Sequence, residues 1–400
     1  MPVEPLRSYF ADQRRLRLGL VGGGTGLIGE VHANGARLSN RWDLVAGALS
    51  SNPERAKTCG ARWQLAPERC YSDYRAMAAA EAQRDDGIDA VAIVTPNNLH
   101  APVALAFMEQ GIDIICEKPL TAALSEVAEL QAAQARSGVF FGLAYAYASH
   151  PMVRQAKAMV AAGDLGDLRQ VHVEYFQDWA IDLSGEDENK AWRLDSARSG
   201  PSCTVADIGT YAEHLACFVS GRKIEALRAD FHVTGAPKPM EDTAFMQLRM
   251  AGDVPGTLMV SQAMAGSQCG FRLRVCGNKA TLEWCQETPE VLQYRAVGQP
   301  EQLITRGYGA GIYPQAERLV RMPRGHPEAL SDAWANLYLE CAAAIAARRS
   351  GTPLPEGLIA PPTLDEGVQG MKFTQAAVAS NAAGTWMSLL EKSHAAWQGL

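Results

Sequence analysis

The segment LRLGLVGGGTGLIG, residues 16–29, decides the fold. An apolar run from Leu16 to Val21 enters the glycine cluster Gly22 to Gly29, and a helix-like stretch follows to about Ser39. Gly24, Gly26 and Gly29 keep the G-x-G-x-x-G register directly after a strand and at the opening of a helix. Glycine at these places allows a tight turn and lets the backbone approach a pyrophosphate, while the helix N-terminus offers N–H groups and partial positive charge. Gly24, Gly26, Leu27, Ile28 and Gly29 are therefore the expected dinucleotide cradle.

Outward from this turn the pattern repeats. A second apolar run, Leu44 to Leu49, precedes Asn52-Pro53 and a helical stretch through Gly60. Ile88 to Thr95, Ala101 to Glu109, Ile112 to Cys116, Ala122 to Ser137 and Val139 to Tyr145 continue the strand–helix alternation. Continuously apolar strands between helices imply a doubly wound parallel sheet covered on both faces. This α/β Rossmann domain is expected over residues 1–148, with residues 1–15 as an N-terminal arm.

After a linking helix near Pro151 the composition changes to β-type segments: Leu168 to Ile181, Ile224 to Val233, Thr243 to Met250, Gly256 to Met264, Phe271 to Cys276 and Ala280 to Trp284. Gly277-Asn278 suits a hairpin turn. Residues 149–400 thus read as a second α/β domain around an open, mostly antiparallel or mixed sheet, interrupted by a helix from Val205 to Val219. Helices are expected from Glu328 to Arg348 and from Leu364 to about Lys392. The segment Val297 to Pro327 reads as a long functional loop, at the active site or a subunit contact.

Composition bounds the partners. With 400 residues, 47% apolar and 20% charged, the chain can bury cores for two domains. A net charge of −7 gives no broad cationic surface for nucleic acid. No apolar run approaches the roughly 20 residues of a membrane span, and the N-terminus has no secretory pattern, so a cytoplasmic protein is expected. Nine scattered cysteines without a C-x-x-C pair point to reduced thiols, with neither disulfides nor a metal site expected.

Adenosine preference is usually read at the end of the second strand, where a carboxylate binds the 2′-hydroxyl of NAD. Here stand Ser50, Ser51 and Asn52 with no acid, and Arg55 is placed to reach a 2′-phosphate, or else is a solvated helix residue. NAD and NADP both remain open. Thr95-Pro96-Asn97 with His100, and Glu117-Lys118-Pro119, lie at strand C-terminal ends, where open α/β sheets bind ligands. Pro119 steers Lys118 toward an extended backbone that projects it off the sheet edge, although on these residues alone a surface lysine fits equally. Spacings of four and seven place Asp207, Tyr211 and His214 on one helical face, an acid, a phenol and an imidazole able to bind a hydroxylated substrate and take its proton. The same stretch also reads as a packing helix with an acidic first turn.

These features in this order resemble the glucose-fructose oxidoreductase and inositol dehydrogenase (Gfo/Idh/MocA) family: the glycine turn followed by His32, Thr95-Pro96-Asn97 with His100, Glu117-Lys118-Pro119, Asp207 with a helix residue four later, and the Gln177-Asp178-Trp179 and Trp192-Arg193 segments. The resemblance implies an NAD(P)-dependent dehydrogenase acting on a secondary hydroxyl of a sugar, anhydrosugar or cyclic polyol. It implies that Lys118 and Asp207 face the nicotinamide, with Gln177, Trp192 and Arg193 near the substrate. It also implies a homodimer or homotetramer formed through the open sheet. Where the family usually has its basic histidine this chain has Tyr211, so Tyr211 and His214 compete for the role of base. Two rival readings are an NAD-using glycosidase without net redox and a non-catalytic cofactor-binding regulator.

Overall fold

The computed structural model describes residues 9–10, 13–184, 190–355 and 357–390; the expected N-terminal arm lies mostly outside them. The strands are β1 (Leu16–Gly22), β2 (Trp42–Ala48), β3 (Ala90–Val94), β4 (Asp113–Cys116), β5 (Phe141–Leu143), β6 (Leu168–Phe176), β7 (Ile224–His232), β8 (Thr243–Met250), β9 (Val254–Ser261), β10 (Gly270–Gly277), β11 (Ala280–Cys285), β12 (Val291–Ala296), β13 (Gln302–Thr305) and β14 (Met387–Ser388). The helices of eight residues or more are α1 (Leu27–Leu38), α2 (Pro53–Arg62), α3 (Tyr74–Ala82), α4 (His100–Met108), α5 (Val127–Ser137), α6 (Pro151–Ala162), α7 (Thr210–Ser220), α8 (Leu330–Ser350) and α9 (Leu364–Ala383). These elements form two compact units. The first takes in the described residues up to Gln155 together with Arg306–Val368; the second takes in Ala156–Thr305 together with the described residues from Gln369.

The first unit holds a five-stranded parallel sheet in the order β2-β1-β3-β4-β5. Its strands are apolar on both faces because helices cover both, and Ala90, Val91, Ala92 and Ile93 of β3 are fully buried. The order reverses direction at β1, and the edge between β1 and β3 is the switch point at which such sheets bind ligands. Caps fix the helix starts: the Asn52 side chain accepts from the Arg55 N–H at 3.0 Å ahead of Pro53, and Asp73 accepts from the Ala76 N–H at 2.8 Å. Helix α8, late in the chain, packs on α1. Its Trp334, Leu337, Tyr338 and Cys341 share one core with Leu18, Leu20, Ala36 and Trp42. At its C-terminal end Arg348 reaches Asp113 at 2.7 Å and Arg349 reaches Asp89 at 2.8 Å, cations placed where the helix dipole favours them.

The second unit is built on a nine-stranded sheet in the order β13-β12-β11-β10-β6-β9-β8-β7-β14, in which β6 and β9 pair in parallel and the other neighbours run antiparallel. Strict alternation in β8, with Ala244, Met246, Leu248 and Met250 buried and Phe245, Gln247 and Arg249 exposed, shows one covered face and one open face. The expected hairpin at Gly277-Asn278 joins β10 to β11, pairing Cys276 with Thr281.

The elements depart from expectation at three places. The helix expected from Val205 begins as a π-turn over Val205–Gly209, and α7 starts only at Thr210. Side chains take over the backbone there: Glu241 Oε1 accepts from the Val205 N–H at 3.1 Å and Ser202 Oγ from the Ala206 N–H at 3.2 Å. The helix expected to reach Lys392 ends at Ala383, because Gly384 turns left-handed at φ 64°, and β14 then pairs with β7; Lys392 lies outside the described residues. The segment 297–327 is not one open loop, since it contains β13 and a helical turn at Pro314–Glu317. Within the first unit it is pinned by Gln155, whose amide donates to Gly311 O at 2.9 Å and accepts from the Tyr313 N–H at 2.8 Å, and by the buried Arg306–Glu328 pair at 3.0 Å. Among the described residues no helix is long and apolar enough to cross a membrane.

Candidate active site

In the first unit the glycine turn has the shape a pyrophosphate requires. A Cβ on Gly29 would stand 2.1 Å from Gly23 O, so only glycine lets α1 begin this close to the strand end. A Cβ on Gly26 would project into open space, the side from which a phosphate can approach the N-terminus of α1. Leu27 is 72% exposed and Ile28 is also exposed, which leaves their backbone as the binding element. These residues fit a dinucleotide. At the end of β2, Ser50 Oγ accepts from the Asn52 N–H at 3.2 Å, and Ser51 and Arg55 are exposed. The nearby carboxylate of Glu54 pairs with Lys57 at 3.3 Å.

The turn carrying Lys118 is held from beneath by buried polar groups. Burial holds the Tyr338 phenol well above its ordinary range, with the neighbouring Cys341 and Glu117 adding to the effect, so it is an O–H donor. It lies 2.7 Å from His32 Nδ1, which assigns the proton to Nε2; that nitrogen faces Glu117 Oε1 at 2.9 Å. The other oxygen of Glu117 accepts from the Lys118 backbone N–H at 3.0 Å. His100 adds a second brace, with Nδ1 2.8 Å from Pro119 O and Nε2 3.0 Å from Thr95 O. Burial pushes the His100 pKa down, against the two carbonyls that favour the charged ring. His100 is thus buried between the Thr95 and Pro119 segments, as Asn97 and Glu117 are buried, while Thr95, Pro96 and Lys118 are partly exposed. The Lys118-Pro119 peptide is cis.

In the second unit Asp207 sits in the π-turn, partly exposed. Gln262 Nε2 donates to Asp207 Oδ2 at 2.8 Å, and Arg193 Nε lies 3.8 Å from the same oxygen. The Arg193 guanidinium lies 5.3 Å from the Trp179 ring centre and 4.6 Å from that of Trp192. Gln177 is tied into the same group: its Oε1 accepts from Trp179 Nε1 at 2.8 Å and its Nε2 donates to the Tyr175 hydroxyl at 3.2 Å. Tyr211 opens α7 and is partly exposed, whereas His214 is buried with its ring stacked on Phe218 at 5.6 Å. The structure brings the sequence candidates Asp207, Gln177, Trp192 and Arg193 into one group, joined by Gln262, which carries no motif and directly follows β9.

Comparison with known proteins supplies the family. Residues 16–145 match the model of the oxidoreductase family with an NAD-binding Rossmann fold, and residues 153–283 match the GFO/IDH/MocA C-terminal domain. The chain belongs to the GFO/IDH/MocA oxidoreductase family. An uncharacterised oxidoreductase of Bacillus subtilis, YfiI, is 35% identical over 382 residues, covering 93% of this chain and 96% of the relative. The inositol dehydrogenase homologue of Azotobacter vinelandii in complex with NAD+ has 35% identity and a TM-score of 0.89, covering 94% of this chain and 98% of that one; the same homologue is also known with NADH and myo-inositol. Levoglucosan dehydrogenase of Pseudarthrobacter phenanthrenivorans is 25% identical over 341 residues, 75% of this chain and 84% of the relative. The GFO/IDH/MocA chain described here is accordingly an oxidoreductase enzyme with an NAD(P)-binding Rossmann domain.

Proposed function

We propose that this oxidoreductase oxidises a secondary hydroxyl of a sugar, anhydrosugar or cyclic polyol to the ketone, and reduces the ketone in the reverse direction. The observation that carries this reading is the setting of Asp207. A partly exposed carboxylate, oriented by a buried primary amide, stands beside a guanidinium between two indole rings; carboxylate, guanidinium and indoles bind hydroxyls and the C–H faces of a carbohydrate ring. The inositol dehydrogenase homologue that holds NADH and myo-inositol, and the related levoglucosan dehydrogenase, support the same class of substrate.

The nicotinamide supplies the hydride acceptor. Asp207 accepts the substrate O–H and orients the carbon that is oxidised. The Lys118 ammonium lowers the pKa of that hydroxyl and stabilises alkoxide charge as it develops. The proton passes to Tyr211; the burial of His214 against Phe218 supports Tyr211 over His214 as the base. Purified protein with NAD+ or NADP+ and a panel of inositols, pyranoses and anhydrosugars should accumulate reduced cofactor in equal amount to ketone. Glycoside cleavage without accumulation of reduced cofactor, or cofactor binding with no turnover across the panel, would reject the reading.

We further propose a homo-oligomer through the open face of the nine-stranded sheet. Phe245 pairs with Met259, Met259 with Glu174 and Glu174 with Arg272, a row of apolar and charged side chains on that face. A monomer by light scattering at micromolar concentration would reject it.

A further inference from the structure

Gln262 follows directly on the last residue of β9, and its backbone is held on both sides. Its N–H donates to Asp242 O at 2.8 Å and its carbonyl accepts from the Ala180 N–H at 2.9 Å. The side chain is fully buried. Its amide has three partners: Oε1 accepts from the Thr204 hydroxyl at 2.8 Å, while Nε2 donates to Asp207 Oδ2 at 2.8 Å and to Gln177 Oε1 at 3.3 Å. Primary amides are ambiguous end for end, but this one is fixed by its neighbours. The Trp179 indole is only a donor, so the Gln177 atom that it meets at 2.8 Å is the carbonyl oxygen. An ionised Asp207 is only an acceptor. Both groups therefore demand the NH2 end of Gln262, which leaves its oxygen for Thr204.

We propose that Gln262 is a positioning residue for the reaction. It pins one oxygen of Asp207, fixing the plane in which the carboxylate meets the substrate hydroxyl. This inference rests on the reading that Asp207 binds the substrate. Thr204, which precedes the π-turn, and Asp207 within it stand three residues apart, and a single buried amide bridges them, so the amide also fixes how the turn presents the acid. Among the described residues, Arg193 on the Trp192 segment lies 3.8 Å from Asp207, and Glu241, Lys238, Arg193 and Asp207 all act on the charge environment of the neighbouring Cys203. None of these neighbours supplies the direction that the Gln262 hydrogen bond supplies.

The test compares Gln262→Leu, Gln262→Glu and Asp207→Asn, using whichever polyol of the panel turns over fastest. Gln262→Leu is expected to lower kcat about tenfold to a hundredfold, the worth of one charge-assisted hydrogen bond, with the Kd for NADH unchanged within about twofold. Gln262→Glu is nearly isosteric and sets a second carboxylate against Asp207. It should be the poorer enzyme at neutral pH and should recover relative to wild type as the pH falls and the introduced carboxyl regains an O–H donor. A residue that only fills space would give a pH profile parallel to wild type. That profile, or a Gln262→Leu enzyme within about twofold of wild type, would overturn the proposal. Should Gln262→Leu fail to fold, the isosteric variant carries the test alone. Asp207→Asn separates the two readings: if it is crippled while the Gln262 variants are active, only the positioning role fails. If it too is fully active, the assignment of Asp207 fails first.

Discussion

The turn that carries Lys118 and the turn that carries Asp207 are held by opposite means. Beneath Lys118, the side chains of Glu117 and His100 meet the main chain, at the Lys118 N–H and the Thr95 and Pro119 carbonyls, and His32 backs the Glu117 carboxylate. Around Asp207, the carboxylate itself is gripped, by Gln262 and with Arg193 close by. The first arrangement fixes the backbone from which a long cationic side chain starts. The second fixes the reacting group at its tip, which suits a short acid that must meet a hydroxyl in one plane. Damage to the first support should therefore appear mainly as lost stability, and damage to the second mainly as lost chemistry.

The largest expected effect sharpens this contrast. Lys118→Ala should lower kcat/KM by about three orders of magnitude, the upper end of what loss of an electrostatic stabiliser costs, while the melting temperature stays near wild type, since the Glu117 and His100 bonds to this turn run to its backbone. A loss of folding in this variant would show that the side chain belongs to the support. Next, Tyr211→Phe should cost about two to four orders of magnitude in kcat, the range of general acid–base catalysis, with His214→Gln mild by comparison. Steady-state kinetics of the two variants would move the base to His214 if the order inverted.

Tyr338→Phe tests the stability side. It leaves the buried His32 Nδ1 without its donor, at a cost of about 1–3 kcal/mol, and should lower the melting temperature clearly while kcat falls less than about tenfold. A large fall in kcat with unchanged melting would break the comparison. The smallest effect concerns the layer behind Gln262. Burial pushes the Asp242 carboxyl up, but the Lys238 ammonium at 2.7 Å and the N–H groups of Thr234 and Gly235 outweigh it and bring the pKa down to about 2 from 3.8. A depressed carboxylate contributes stability that is complete above the unfolded value and is lost as the pH falls through the folded one. The melting difference between wild type and Lys238→Met should thus be full at neutral pH and shrink as the pH falls from about 3.8 toward 2.

The Rossmann half was legible because each of its devices is local. Glycines at 24, 26 and 29, apolar strands and the Asn52-Pro53 cap all act within a few residues. Helix α3 passed unnoticed since Met77 is the one large apolar side chain it buries. Strands β12 and β13 are half-exposed and escaped for the same reason. The π-turn was invisible because what widens it, Glu241 and Ser202, comes from outside the helical pattern. Of the candidate site, charged and aromatic residues were found by type, but the partners that orient them were not. His32 and Tyr338 meet across 306 positions, and nothing in either neighbourhood announces the other.

Helix α8 has a consequence for how the protein is made. The core around β1 and β2 is closed by Trp334, Leu337 and Tyr338, which lie far downstream of the last residues of the parallel sheet. A ribosome adding about 5–20 residues per second delivers that helix on the order of ten to forty seconds after the sheet has emerged. During that interval the nascent first unit shows an uncovered apolar groove along α1, with Asp89 and Asp113 lacking the arginines of the missing helix. Chaperone occupancy on translating ribosomes should peak in this window and fall once residue 350 clears the exit tunnel.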